Sequence, residues 1–286
     1  MKDITKVSAG IVTFNPEINR LKENIKSVLK LVDLLIVFDN NSKNIKEIEA
    51  IKEEYDFILC KSDSNKGISY ALNRIMEIAI DNDYSWCITL DQDSIVPHNL
   101  IDVASAYLKS KNVCMIVPQI LEVNTGEIPN LDTEPDKNDY QVVKKCITSS
   151  SITNTRIWSL VGGFDEDMFI DYVDFDYAAK CRKNGYRIIR MNKVFLKHEL
   201  GESVMKSVLG VKLRVANHSA FRKYYISRNI VIYIKKYRKD KNLINPCFEV
   251  LRLIKQTVLI ILFENNKTKK LKASFKGIYD GLKTKV

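Results

Sequence analysis

Asp91-Gln92-Asp93 places two carboxylates in one short turn, directly behind the apolar run Trp86–Leu90. Carboxylate oxygens so spaced suit a hard divalent cation, which takes oxygen ligands and can bridge a diphosphate. His198, in Leu196-Lys197-His198-Glu199, closes another apolar run and is one of only 3 histidines. As a third ligand it would favour a borderline ion such as manganese over calcium. A second acidic group follows the glycine stop Gly162-Gly163-Phe164-Asp165, in Phe169-Ile170-Asp171-Tyr172-Val173-Asp174-Phe175-Asp176. A helix starting near Asp171 would set Asp171 and Asp174 on one face, where a carboxylate can act as general base toward a hydroxyl. Asp176 reads instead as a partner of the helix dipole.

The elements that must hold these groups alternate along the first 120 residues. Val7–Phe14, Leu34–Phe38, Phe57–Cys60, Trp86–Leu90 and Val113–Val117 are short apolar runs, the last stopped by Pro118. Between them, Ile18, Leu21, Ile25, Val28, Leu29 and Val32 recur at helical spacing, and a second helix spans about Ile68 to Ile80. This alternation predicts an α/β fold with a mostly parallel central sheet flanked by helices. Asn15, Asp39, Asp63 and Asp91 each follow the carboxyl end of a run, which is the edge where open α/β sheets bind ligands. Residues 122–145 read as a loop or lid. A strand-like run around Cys146–Thr153, a helix near Thr155–Val161 and a helix from about Asp174 to Asn184-Gly185 follow. From Ala220 onward the pattern is helical and basic, which divides the chain into a body, 1–218, and an extension, 219–286.

Charge sharpens that division. Residues 201–286 hold 20 Lys/Arg and 5 Asp/Glu, a net of +15, whereas residues 1–200 carry a net of −5. Such a tail suits an anionic surface, lipid or nucleic acid. Arg222, Lys223, Arg228, Lys235, Lys236, Arg238, Lys239 and Lys241 interleave with aromatic and aliphatic residues, and seven lysines follow from Lys267 on. The 6 cysteines are scattered without a C-x-x-C pair, which points to buried thiols in a reducing compartment. Met1–Lys6 lacks the apolar core of a signal peptide, and Thr257–Phe263, the longest apolar stretch, is too short to span a bilayer. A cytoplasmic location is expected.

The ordered set Val12-Thr13-Phe14-Asn15, Asp39-Asn40-Asn41-Ser42, Asn65-Lys66-Gly67 with Ala71-Leu72-Asn73, Asp91-Gln92-Asp93, Gly163-Phe164-Asp165 with Asp171 and Asp174, then His198, resembles the family 2 glycosyltransferases. Through Phe169–Asp174 and Tyr224-Tyr225-x-x-Arg228-Asn229 it is similar to the bacterial rhamnosyltransferases of cell-surface polysaccharide synthesis. The resemblance implies a GT-A (Rossmann-like) fold and inverting sugar transfer from a nucleotide donor, with Mn2+ or Mg2+ as cofactor. It also implies roles. Thr13, Asn15, Asp39, Asp63, Asn65, Asp91 and Gln92 would bind the nucleotide sugar; Asp93 and His198 would hold the metal. Asp171 is the leading base, with Asp174 the alternative, because this chain has Asp171-Tyr172 where the family often has Glu-Asp or Asp-Asp. The implied donor is dTDP-rhamnose, or else UDP-galactofuranose, UDP-glucose or UDP-galactose. The implied acceptor is a polyprenyl-diphosphate-linked glycan at the inner face of the cell membrane, which ranks an anionic membrane above nucleic acid as the tail's partner. A nucleotidyltransferase would need a Gly-rich loop after the first strand, and Val12–Pro16 has none. A non-catalytic membrane-binding adaptor on the same fold is the other alternative, and the intact aspartates argue against it.

Overall fold

The computed structural model describes residues 6–122, 138–198, 204–208 and 211–286, with backbone alone for Glu122, His198, 204–208 and 211–214. The chain forms two compact units: Met1–Asp167 with Asp174–His198, and Met168–Val173 with Glu199–Val286. The second unit starts upstream of the 218/219 division expected from the sequence. The second unit also takes in a short hairpin and the six-residue segment around Asp171.

The first unit is built on β1 (Val7–Thr13), β2 (Leu35–Asp39), β3 (Ile58–Lys61), β4 (Trp86–Asp91), β5 (Val113–Glu122), β6 (Tyr140–Val143), β7 (Ser151–Asn154) and β8 (Arg187–His198), in the order β3-β2-β1-β4-β7-β5-β8-β6. Six of the eight strands run the same way, as the alternating pattern predicts; β7 and β6 are reversed. The helices are α1 (Ile18–Val28), α2 (Ile45–Glu54), α3 (Ile68–Asp81), α4 (Leu100–Ala104), α5 (Thr155–Val161) and α6 (Val173–Lys183). All five residues of β2 are buried, as expected of a strand covered on both faces. Leu21, Ile25 and Val28 bury the inner stripe of α1, and Glu17 caps its start by accepting from the N–H groups of Asn19 and Arg20. Gly10 lets α3 lie close on β1, since a β-carbon there would sit 2.1 Å from Ile75.

Two local expectations change. Pro118 does not end its strand: β5 continues to Glu122 across a register shift at Pro118/Gln119 against β8. A bulge absorbs the N–H that proline lacks, so the ladder resumes beyond it. The expected loop at 122–145 contains a strand, β6, whose residues pair antiparallel with β8 and alternate too weakly to be read as one. The run at Cys146–Thr153 becomes a strand only from Ser151. Residues 123–137 of that loop lie outside the described residues.

The second unit holds the hairpin β9 (Val204–Val208) and β10 (Val211–Val215) and three helices, α7 (Ala220–Tyr237), α8 (Pro246–Phe263) and α9 (Lys267–Lys283). Gly277 and Gly281 bring α9 onto α7: a β-carbon at Gly277 would stand 2.3 Å from the Tyr224 carbonyl oxygen. Glu264 is buried and takes Lys223 at 2.7 Å and Lys270 at 2.9 Å. Lys235 donates to the Leu282 carbonyl at the end of α9 (2.9 Å), where a cation complements the helix dipole. Several cations expected to face a partner therefore hold this unit together.

Candidate functional site

Register brings the polar strand ends to one edge. Thr13 pairs with Asp39 across β1 and β2, and Val12 pairs with Asp91 across β1 and β4. The turn after β4 is tied down by its backbone and by its middle residue. Asn24 donates to the Asp91 carbonyl (2.8 Å), Arg20 Nε donates to the Asp93 carbonyl (2.8 Å), and Gln92 Oε1 accepts the Phe14 N–H (2.8 Å). Ser94 shares a buried hydrogen bond with Ser149, just before β7. This leaves Asp93 exposed, with no hydrogen bond to its carboxylate among the described residues. A fixed backbone presenting an exposed carboxylate, beside a second one at Asp91, is suitable for a hard cation. No group of three potential ligands occurs among the described residues. The backbone of His198 closes β8 opposite Glu122, and the side chain that would complete a metal set lies outside the described part.

The other edge residues divide by burial. Asp39 is buried and saturated: its carboxylate accepts from the Thr13 hydroxyl (3.0 Å), the Ser42 N–H (2.8 Å) and the Ser42 hydroxyl. Thr13 is itself buried, so its hydroxyl positions Asp39. Asn15, in left-handed backbone, donates its N–H to Ser42 Oγ (2.7 Å) and accepts the Lys43 N–H (2.8 Å), which staples the β1 and β2 ends together. Asn65 accepts the Gly67 N–H (3.0 Å) at the start of α3. Asp63 lines an open cleft of about 500 Å³ with Lys66, Tyr70 and Arg74. The Lys66 ammonium, hydrogen-bonded to it, holds the Asp63 carboxyl below its ordinary value.

Nothing local in the sequence gives Asn73 a task, and the structure supplies one. Its side chain donates to the Phe164 carbonyl (2.9 Å) and to Glu166 (2.9 Å), and accepts from the Phe164 N–H (2.9 Å). It thereby clamps Gly162-Gly163-Phe164, where both glycines are left-handed and a β-carbon on Gly163 would meet Asn73 Oδ1 at 2.9 Å. Asp174 sits in the first turn of α6 and accepts the Phe175 N–H (2.8 Å). Asp176, two residues on, is fully buried.

Asp171 belongs to the second unit. Arg222 grips both of its oxygens, Nε at 3.1 Å from each and a terminal nitrogen at 2.9 Å from Oδ1. Phe169, Asp171 and Tyr172 all have left-handed backbone, which costs energy for such residues and needs support. Asn229, buried in α7, gives it: its amide donates to the carbonyls of Met168 (2.6 Å), Ile170 (2.9 Å) and Asp171 (2.9 Å). Two hydrogens serving three acceptors means that one is shared. The Tyr172 hydroxyl donates to Glu249 (2.6 Å) and accepts from Arg252 (3.2 Å); burial, then Glu249, raises its pKa. His218 is pushed down to about 4 by burial and then by Arg222. The sequence offered Arg222 only as one of a basic run, because nothing local names a partner 51 residues away.

The chain is similar to proteins of known class. The description "Glycosyl transferase family 2" matches residues 8–179. A dTDP-rhamnosyl transferase from Shigella flexneri is 24% identical over 290 residues, covering 98% of this chain and 96% of that protein. Among solved structures, the S. aureus TarS fragment 1–349 superposes with a TM-score of 0.62 at 14% identity, over 96% of this chain and 80% of that one. The same fragment with UDP-GlcNAc gives 0.60 at 15% identity, over 97% and 81%. GalNAc-T7 with UDP, GalNAc and Mn2+ gives 0.62 at 15% identity, over 82% and 48%. At those identities the structures attest the fold, an α/β sheet flanked by helices with further helices C-terminal.

Proposed function

We propose that this chain, which belongs to glycosyl transferase family 2, transfers L-rhamnose with inversion from dTDP-rhamnose to a lipid-linked glycan in cell-surface polysaccharide synthesis. The observation that carries sugar transfer is the turn after β4, whose backbone is held by Asn24 and Arg20 and whose Gln92 side chain is held by the Phe14 N–H, while Asp93 stays exposed. Resemblance to a dTDP-rhamnosyl transferase along nearly the whole of both chains supports the choice of donor.

Asp91 and Gln92 face the nucleotide side. Asp93 and His198 would hold Mn2+ or Mg2+, which when bound offsets the charge developing on the departing diphosphate. Asn15 and Asp39 shape the nucleoside end, Asp39 through its Thr13 and Ser42 network, with Asp63 and Asn65 at the start of α3. The acceptor hydroxyl needs a carboxylate to take its proton. Asp174 fits that role better than Asp171, because both Asp171 oxygens are engaged by Arg222. Attack from the face opposite the diphosphate inverts the anomeric centre, so a β-linked L-rhamnosyl donor yields an α-rhamnoside. A polyprenyl-diphosphate-linked acceptor would set this work at the inner face of the cell membrane.

The deciding experiment exposes the protein to dTDP-rhamnose, UDP-galactofuranose, UDP-glucose and UDP-galactose, each with and without Mn2+, and reads thermal shift and donor turnover. Selective stabilisation and turnover by dTDP-rhamnose is the expected result. Preference for a UDP-sugar would keep the reaction class and replace the donor; no response to any nucleotide sugar would overturn the reading.

A further inference from the structure

α8 buries few of its apolar residues. Of its 18 residues only Glu249, Leu259 and Ile260 are buried, although its composition is strongly apolar. At 3.6 residues per turn, Phe248, Leu251, Ile254, Val258, Ile261 and Leu262 fall within about 140° of arc. Each is between 43% and 64% exposed. Glu249, Leu253, Gln256 and Ile260 fall on the opposite side, toward the rest of the unit. This is an amphipathic helix turned inside out: the apolar stripe faces solvent.

The surroundings of the stripe point to one occupant. Lys255 falls within the arc, between Leu262 and Phe248, and the exposed side of α9 alternates Phe275, Tyr279 and Leu282 with Lys272, Lys276 and Lys283. The acid on α9, Asp280, is hydrogen-bonded to Tyr224. An exposed apolar surface bordered by cations matches an anionic lipid interface, with side chains among acyl chains and ammonium groups on phosphates. A second copy of the chain would bring two lysine borders together around the same stripe. No helix among the described residues is long and apolar enough to cross a membrane, so lying in the interface is the geometry open to α8.

We propose that α8 inserts its exposed stripe into the anionic leaflet while the lysines of α9 engage the headgroups. This deepens the proposed membrane-side reading by assigning a face and a mode. It moves attachment away from α7, where Arg222, Lys223 and Lys235 are engaged by Asp171, Glu264 and the end of α9.

The test uses the full chain with phosphatidylcholine vesicles, with and without phosphatidylglycerol, and no donor or acceptor. Wild type should sediment with phosphatidylglycerol vesicles and stay partly bound in high salt. Leu251→Glu with Ile254→Glu should weaken partitioning roughly tenfold or more at every salt concentration, because a charge must then enter the apolar layer. Lys272→Glu with Lys276→Glu should lose binding at low salt, where headgroup attraction is greatest. A polarity-sensitive dye on Cys247, which is exposed on the same face, should shift blue on vesicle binding in a Cys60→Ser background. Unchanged binding of the Leu251/Ile254 variant, or no dye shift, would overturn insertion. A wild-type dimer that the same variant dissociates, with no vesicle binding, would assign the face to a second copy instead. Circular dichroism and thermal melting of each variant establish that it folds. Transfer to a water-soluble acceptor should be unaffected by the α8 variant, so sugar transfer and membrane insertion can fail separately.

Discussion

The ends of β2 and β4 carry aspartates that look alike in the sequence, each following an apolar run at the same sheet edge. Asp39 is buried, and three donors from Thr13 and Ser42 converge on its carboxylate. Asp93 is exposed, and the hydrogen bonds around it go to the backbone of its turn and to Gln92. One carboxylate holds the frame, while the other is held out by it. Position at a strand end therefore does not define a role; what the carboxylate is already bonded to does.

The comparison breaks first on Asp93→Ala. Sugar transfer should fall by roughly a thousandfold, the loss of several kcal/mol of charge stabilisation, while the melting temperature stays put. A large drop in melting temperature would make Asp93 another frame residue. The acceptor side should follow. Asp174→Asn is expected to lower kcat by about 10²–10⁴, the usual range for a lost general base, and Asp171→Asn by much less. The reverse order would return the base to Asp171 and give Arg222 the task of releasing it.

Asp39→Ala should act on stability instead. It leaves two Ser42 donors buried without an acceptor and the Thr13 hydroxyl with only the Phe38 carbonyl at 3.4 Å, a cost of about 2–4 kcal/mol in denaturant unfolding. Asn73→Ala should cost about 2 kcal/mol, since the Phe164 N–H and carbonyl lose their partner. The smallest effect belongs to His218. Its pKa falls from the ordinary 6.5 to about 4 in the folded chain, so the unfolded chain takes up the proton first as pH drops. Its stabilising contribution is whole above pH 6.5 and is lost between there and about pH 4. His218→Gln should flatten stability over that window by about 1 kcal/mol, the shift being discounted for solvent screening.

Much of the frame was legible in the residues. Runs with strand and helix periods are local statements about which faces are apolar, and they located β1 through β4, the start of β5, α1, α3, α5 and α6 closely. β6 and the reach of β5 past Pro118 were not legible, because a strand's neighbours decide whether a short half-exposed run pairs and whether a bulge is tolerated. In the site, the identities were visible and the bonding was not. Asp39 and Asp93 cannot be told apart until Thr13 and Ser42 are placed against one of them.

What the sequence determined by itself is the alternation of strands and helices, the order of the polar strand ends and the charge of the C-terminal third, all properties of residues and their spacing. What only the tertiary structure decided is which of those groups are already occupied. Arg222 closes on Asp171, Lys223 closes on Glu264, and α8 turns its apolar stripe outward. Each depends on partners far along the chain, and hydrogen bonding and burial act between neighbours in space, whatever their separation in sequence.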